Sequence, residues 1–222
     1  MTTFVITGAN RGIGLAMARQ LSDRGDRVIA VCRAASAELE APNITVEAEI
    51  DVTRADDLVE LKRRLSEVEI DTLINNAGLL RSSSFDGIET ELDDWRAQYE
   101  VNALAPIRVT SALSDRLVTG GKVVIIASRM GSIADNTSGG AYAYRMSKAA
   151  VNAAGVSLAH ELKARDIAVG LLHPGYVRTG MTGMTGHIDA DEAARNLIER
   201  IDELTMDRTG SFRHANGEDL PW

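Results

Sequence analysis

Short β-branched runs alternate with longer stretches of helical periodicity along the whole chain. Thr3–Thr7, Arg27–Cys32, Ile44–Asp51, Asp71–Asn75, Lys122–Ser128 and Ile167–His173 read as strands, and Ser211–His214 adds a last one. Most are apolar at consecutive positions, as strands covered on both faces must be. Between them Leu58, Leu61, Leu65 and Val68 recur at helical spacing, as do Val151, Ala154, Leu158 and Leu162. Thr53 with Asp56, and Thr90 with Asp93, have the spacing of capping boxes and predict two helix starts. Arg33 to Ile44 is short for a crossover helix, so an abbreviated connection is expected there. This alternation predicts an α/β fold: a doubly wound parallel sheet with right-handed crossovers, residues 1–222 forming a single domain.

Composition narrows the function classes. The 222 residues are 45% apolar and 25% charged, ordinary for a globular protein, with 32 acidic against 24 basic side chains and a net charge of -8. That balance argues against a nucleic-acid partner, which needs a basic face. One cysteine, Cys32, makes neither an internal disulfide nor a cysteine-rich zinc site, and the four histidines show no metal spacing. No apolar run approaches the roughly 20 residues of a membrane span. The start of the chain lacks the basic and apolar regions of a signal peptide. The expectation is a cytoplasmic protein with no membrane span and no metal.

The first strand runs into Thr7-Gly8-Ala9-Asn10-Arg11-Gly12-Ile13-Gly14, and an amphipathic segment with Leu15, Ala18 and Leu21 follows. Strand, glycine-rich turn and helix in that order form a dinucleotide pocket. Gly8 permits the tight turn, Gly12 lets backbone approach a pyrophosphate, and Gly14 allows close helix–strand packing. The helix N-terminus offers N–H groups and a partial positive charge to phosphates. NAD binders usually carry an acid at the end of the second strand. Here that strand ends Ala30-Val31-Cys32-Arg33. Arg33, with Arg11 in the glycine loop, suits a 2′-phosphate, so NADP is expected over NAD.

Tyr144 and Lys148 stand four apart and share one face of a helix. Ser128 ends a predicted strand, Asn75-Asn76-Ala77-Gly78 ends the one before it, and Asn102 follows on a helical stretch. Ligands of open α/β sheets bind at such strand ends. Taken with Asp51-Val52 after the third strand and Pro174-Gly175-Tyr176-Val177-Arg178-Thr179, these motifs resemble the short-chain dehydrogenase/reductase family over nearly the whole chain. Ser128-Arg129-Met130-Gly131-Ser132, Gly140 to Lys148 and the closing Pro221-Trp222 are similar to its C-factor-like subgroup.

The resemblance implies a Rossmann-type fold and an NAD(P)-dependent enzyme that interconverts a carbonyl compound and an alcohol by hydride transfer. Tyr144 would be general acid or base, Ser128 would bind the carbonyl oxygen, and Asn102 would order a water linking Lys148 to solvent. Lys148 would also hold the nicotinamide ribose. A positive charge about 4 Å away supplies about 4 kcal/mol, enough to bring a phenol of ordinary pKa about 10 toward pH 7. Asp51 and Val52 would flank the adenine, and Asn76, Ala77 and Gly78 would line the cofactor floor. Pro174, Gly175 and Val177 would border the nicotinamide, with the Val177 backbone on the carboxamide, and Thr179 would meet the nicotinamide or a phosphate. With Gly8, Asn10, Arg11, Gly12, Ile13, Gly14 and Arg33 they complete the implied cofactor site. The alternative implied by the subgroup is a signalling protein that senses the dinucleotide with little turnover.

The family also implies a homodimer, or a tetramer of dimers, through the Tyr144 helix and the helix near Trp95–Ser114, with Val156 and Leu113 facing the partner. The gap from Ser128 to Tyr144 is long, and Asp135–Gly140 reads as an extra loop. The glycine- and methionine-rich stretch Gly180–Gly186 is too short for a rigid helical lid. Met181 and Met184, with Tyr142 and Met146, are expected to border an open site for bulky apolar carbonyl compounds.

Overall fold

A computed structural model describes residues 1–222. Seven strands form one parallel sheet: β1 (Thr3–Thr7), β2 (Arg27–Val31), β3 (Ile44–Glu47), β4 (Ile70–Asn75), β5 (Leu117–Ile126), β6 (Ala168–His173) and β7 (Ser211–His214). Their order is β3-β2-β1-β4-β5-β6-β7. The chain builds outward from β1 in one direction and then restarts beside β1 with β4. The crevice at the carboxyl ends of β1 and β4 is therefore the topological switch point.

Six helices cover both faces: α1 (Gly12–Asp23), α2 (Ala55–Arg64), α3 (Ile88–Tyr99), α4 (Ala105–Leu113), α5 (Tyr142–Leu162) and α6 (Ala190–Asp202). Strand side chains alternate between two cores. Phe4, Ile6, Val28 and Ala30 pack with Met17 and Leu21 of α1 and Leu197 and Ile201 of α6. Val5, Ile29 and Val31 point the other way, into the core that holds Leu58 and Leu61 of α2, Val109 and Leu113 of α4 and Leu162 of α5. This is why the strands read as continuous apolar runs, and it makes the chain one doubly wound domain. No helix is long and apolar enough to cross a membrane.

Several boundaries differ from the expected ones. The third strand stops at Glu47, because Glu49 takes a left-handed φ of 64° and turns the chain before Asp51. The fifth begins earlier, at Leu117, and ends at Ile126, since Ser128 opens a short 3₁₀ turn. The abbreviated connection between β2 and β3 is a 3₁₀ turn at Ala37–Leu39. Neither capping box forms. Thr53 gives its N–H and hydroxyl to Asp51 at 2.9 and 2.7 Å, a charged acceptor that outcompetes a cap, and α2 starts at Ala55 without one. Thr90 lies inside α3 and bonds back to the Gly87 carbonyl. The side chain that does cap a helix N-terminus is Asp189, which accepts the Glu192 N–H of α6 at 2.8 Å. Leu113, the last residue of α4, is expected on a partner-facing surface but is wholly buried in the core against the sheet.

β6 and β7 end on a histidine pair. His173 meets the ring of His214 edge-on, with centroids 4.9 Å apart. Burial, then the neighbouring charges of His214, Arg129 and Lys148, push His173 down to about 3 from an ordinary 6.5. The unfolded chain therefore binds a proton that the folded one refuses once pH falls below about 6.5. Stability from this group is complete above that pH and is lost as pH falls toward 3, by about 1.4 kcal/mol per pH unit at most. Urea unfolding at a series of pH values should show a shallower acid decline for His173→Gln than for the wild type. Identical slopes for the two proteins would rule this account out.

Candidate active site

The glycine-rich turn fills the switch-point crevice. Thr7 and Asn76 fasten it to the end of β4. Thr7 Oγ1 accepts the N–H groups of Asn76 and Ala77 at 3.0 and 3.1 Å, and the Asn76 amide donates to the carbonyls of Thr7 and Gly8 at 2.9 and 3.1 Å. Two glycines are required by this closeness. Gly8 has φ +66° and lies against Ala77, where a methyl group would be 2.9 Å from Cα. One at Gly14 would be 2.5 Å from the Gly8 carbonyl oxygen. The α1 N-terminus that follows has no side-chain cap and no acid in its first turn. The first-turn residues Gly12, Ile13 and Gly14, preceded by Asn10 and Arg11, thus present an unneutralised helix end, which suits an anionic ligand.

At the outer end of the crevice, Arg33 is largely exposed and stands 3.9 Å from the Asp51 carboxylate. Burial works against that carboxylate, but hydrogen bonds from Thr53 and the charges of Arg33 and Arg54 overcome it and hold Asp51 below its ordinary value. Val52 beside it is buried. Arg11 is exposed. The two arginines do not pair with a common group in the protein; the contact of Arg33 is Asp51.

Asn102 lies in a π-helical turn, Glu100–Leu104, between α3 and α4. Its Oδ1 accepts the Leu79 N–H at 2.8 Å, and its amide donates to the Leu79 carbonyl and to Ser147 Oγ at 2.8 and 3.0 Å. Both N–H donors are thereby used. The side chain ties the stretch after Gly78 to the helix that carries Lys148.

Ser128, Tyr144 and Lys148 are all buried where β5 ends beside α5. Lys148 Nζ donates to the Ile126 carbonyl at 2.8 Å and lies 5.8 Å from the centre of the Tyr144 ring. Burial pushes the Lys148 ammonium down to about 8. Burial also raises the Tyr144 phenol above its ordinary value, and a hydrogen bond with Ser128 lowers it only in part. Lys148 is expected from the sequence to bring the phenol toward neutrality with the help of an oxidised nicotinamide ring; in the protein by itself the phenol is raised instead. The ammonium is bonded elsewhere, and desolvation dominates in the protein's own environment.

The loop after β6 returns over the glycine turn. Pro174 and Gly175 start it, Val177 is buried and bridges to Ile188, and the Thr179 methyl lies 3.6 Å from where a side chain on Gly12 would begin. The Met181 methyl approaches Gly78 in the same way, at 3.4 Å. The Gly180–Thr182 turn is the only helical piece in the Gly180–Gly186 stretch. Tyr142 stacks on Trp95 with centroids 6.0 Å apart, and Met146 is exposed. Asp135–Gly140 form an exposed loop.

Four contributors carried no signal in the sequence. Thr7 and Ser147 act through hydrogen bonds to residues far along the chain. Ile126 acts through its carbonyl. Ser83 accepts the Ala143 N–H at 3.1 Å and closes the start of α5, where Ala141 takes a left-handed φ of 46°. Thr7 and Ser147 lie within sequence motifs, but at positions to which those motifs assign no role.

A sequence profile described as short chain dehydrogenase matches residues 2–189. The chain is 42% identical, over the full length of both proteins, to 1-hydroxy-2-glutathionyl-2-methyl-3-butene dehydrogenase of Rhodococcus sp. strain AD45. It is 41% identical to the C-signal protein of Myxococcus xanthus, over 69% of this chain and 93% of that one. A crystal structure of a short-chain dehydrogenase/reductase from Burkholderia multivorans with bound NADP superimposes with a TM-score of 0.91 at 31% identity, covering 100% of this chain and 99% of that one. With its seven-stranded parallel sheet and this degree of likeness over its whole length, the chain belongs to the short-chain dehydrogenase/reductase family.

Proposed function

We propose that the protein is an NADP-dependent oxidoreductase that interconverts a carbonyl compound and an alcohol. The observation that carries the reading is the buried set Ser128, Tyr144 and Lys148, at the strand ends beside the glycine turn. Burying a phenol and an ammonium is unfavourable unless they are used. A sensor that only binds the dinucleotide would use Lys148 on the ribose but has no need of a buried proton donor at Tyr144, so the signalling alternative is the weaker reading. The likeness to a dehydrogenase of a hydroxylated substrate, and to a structure holding NADP, supports the same choice.

NADPH, when bound, supplies the hydride. Gly8, Asn10, Gly12, Ile13 and Gly14 hold its pyrophosphate against the α1 N-terminus, Arg11 and Arg33 take the 2′-phosphate, and Asp51 and Val52 border the adenine. Asn76, Ala77 and Gly78 form the floor, and Pro174, Gly175, Val177 and Thr179 close the nicotinamide end. Ser128 Oγ donates a hydrogen bond to the carbonyl oxygen and fixes it beside Tyr144. Tyr144 Oη then gives that oxygen its proton, and a phenol raised by burial begins in the protonated form this step requires. Lys148 Nζ, held in place by the Ile126 carbonyl, favours the phenolate left behind and hydrogen-bonds the nicotinamide ribose. Asn102 keeps the helix bearing Lys148 in register with the floor through Ser147. The exposed Met181, Met184 and Met146 suit a bulky apolar substrate. A homodimer through α5 and the helical stretch Trp95–Ser114 would cover the exposed Tyr99 and Leu104.

Tyr144→Phe should lower turnover of an aromatic aldehyde by about 10²–10⁴-fold and leave NADPH affinity unchanged, measured by steady-state kinetics and fluorescence titration. Retention of most of the activity would exclude Tyr144 as the proton donor. NADPH should bind about tenfold or more tightly than NADH, and Arg33→Ala should weaken NADPH alone. Equal loss of both cofactors in that variant would count against a 2′-phosphate role. Light scattering should give twice the 23.9 kDa chain mass or a larger multiple, and a monomer at micromolar concentration would refute the dimer.

A further inference from the structure

The segment after β7 does not leave the sheet. The chain turns at Ala215–Gly217 and returns antiparallel along β7, with Arg213 opposite Asp219. The His214 N–H donates to the Glu218 carbonyl at 2.8 Å, and the Leu220 N–H to the Phe212 carbonyl at 2.9 Å. β7 is the last strand, so this return covers an edge that would otherwise be open. The final residues then meet the loop that follows Ser128. Trp222 stacks on Phe212 with centroids 5.4 Å apart, and its carbonyl accepts the Ala134 N–H at 2.9 Å.

Ser128 is thereby flanked by two attachments to the C-terminus. On one side, Ala127 is buried in a small apolar cluster with Leu171, Phe212 and Leu220. On the other, Arg129 donates a hydrogen bond to Glu218 at 3.0 Å and pairs with Asp135 at 3.2 Å. Between them, Ser128 is held by its own turn and by its hydrogen bond with Tyr144. Its Oγ accepts the Met130 N–H, and its carbonyl accepts the Gly131 N–H. Gly131 presses so close to α5 that a methyl group there would be 2.6 Å from the Lys148 carbonyl carbon. The turn is therefore fixed to α5 at Ser128, at Met130, whose carbonyl accepts from Arg145 at 3.4 Å, and at Gly131, to β6 through the Ala127 N–H on the Leu172 carbonyl at 2.8 Å, and to the C-terminal return at residues 127, 129 and 134. Losing the attachment to the return leaves it held through α5 and β6 alone.

We infer that the C-terminal return Glu218–Trp222 is an intramolecular brace that sets the position of Ser128, with Arg129 and Glu218 as positioning residues for the carbonyl chemistry. The inference rests on the reading of Ser128 as the group that orients the substrate oxygen. Both partners of the Arg129–Glu218 pair are about half exposed, so the pair adds little to overall stability. Its leverage is geometric, because a hydrogen-bond donor to a reacting oxygen tolerates only a fraction of an ångström of error.

The test compares Arg129→Met, Arg129→Lys, Glu218→Gln and a chain ending at Leu220 with the wild type, using NADPH and benzaldehyde. Arg129→Met and Glu218→Gln should lower kcat about tenfold, with KM, NADPH affinity and melting temperature unchanged. Arg129→Lys, which keeps the charge, should restore most of the rate. In the shortened chain, amide hydrogen exchange at Gly131, Ser132 and Ala134 should accelerate while that of the β4 and β5 amides does not. Unchanged kcat in both ion-pair variants overturns the inference, as does a loss confined to NADPH affinity. If the shortened chain fails to fold, exchange at Gly131 and Ser132 in Glu218→Gln replaces it, and unaltered exchange there refutes the brace. Tyr144→Phe separates the two claims: if it keeps the wild-type rate, or if the wild type does not turn over benzaldehyde, the exchange measurements alone judge the brace.

Discussion

The site depends on how closely the first and fourth strands can bring their carboxyl ends together. Thr7 and Asn76 set that distance with four hydrogen bonds, using one hydroxyl and one amide to satisfy backbone groups of both loops. The contact leaves no room for a side chain at Gly8 or Gly14. With the loops locked, the α1 N-terminus opens into the crevice and Gly78 faces the same space. If either loop relaxed, the buried polar groups between them would lose partners, each at a loss of roughly 1–3 kcal/mol.

The Ser128, Tyr144 and Lys148 cluster is built on the opposite principle. Tyr144 and Lys148 are taken out of water, which raises the phenol and lowers the ammonium, and the surrounding packing must offset both penalties. Two cores on either side of a seven-stranded sheet supply that surplus. Rigidity follows from the same source. Lys148 is held by a strand carbonyl, and Asn102 ties its helix to the floor through Ser147. The glycine turn after β1 and the Ser128, Tyr144 and Lys148 cluster at the end of β5 are thus fixed to one frame, with β4 between them. The stretch after Thr179 is different, since it has only one short helical turn and exposes its methionines.

The sequence by itself determined the strand–helix alternation, the two-faced burial of the strands and the positions of the glycine turn, Ser128, Tyr144 and Lys148. These are local properties. An apolar run, a turn residue with positive φ and two side chains four apart on a helix are set by neighbours in the chain. Tertiary structure alone decided the rest. Thr53 and Thr90 have the spacing of caps, yet Asp51 captured one and an earlier helix start displaced the other. Leu113 reads as an interface residue and is core, because the side of a helix that faces the sheet depends on the sheet's order. The phenol of Tyr144 reads as one to be lowered by a nearby lysine, but burial, which no spacing reveals, raises it. The contacts from Thr7 to Asn76, from Asn102 to Ser147 and from Arg129 to Glu218 join residues 45 to 89 positions apart. Such pairs leave no periodic trace in the sequence, because only the closing of the sheet brings them within hydrogen-bonding distance.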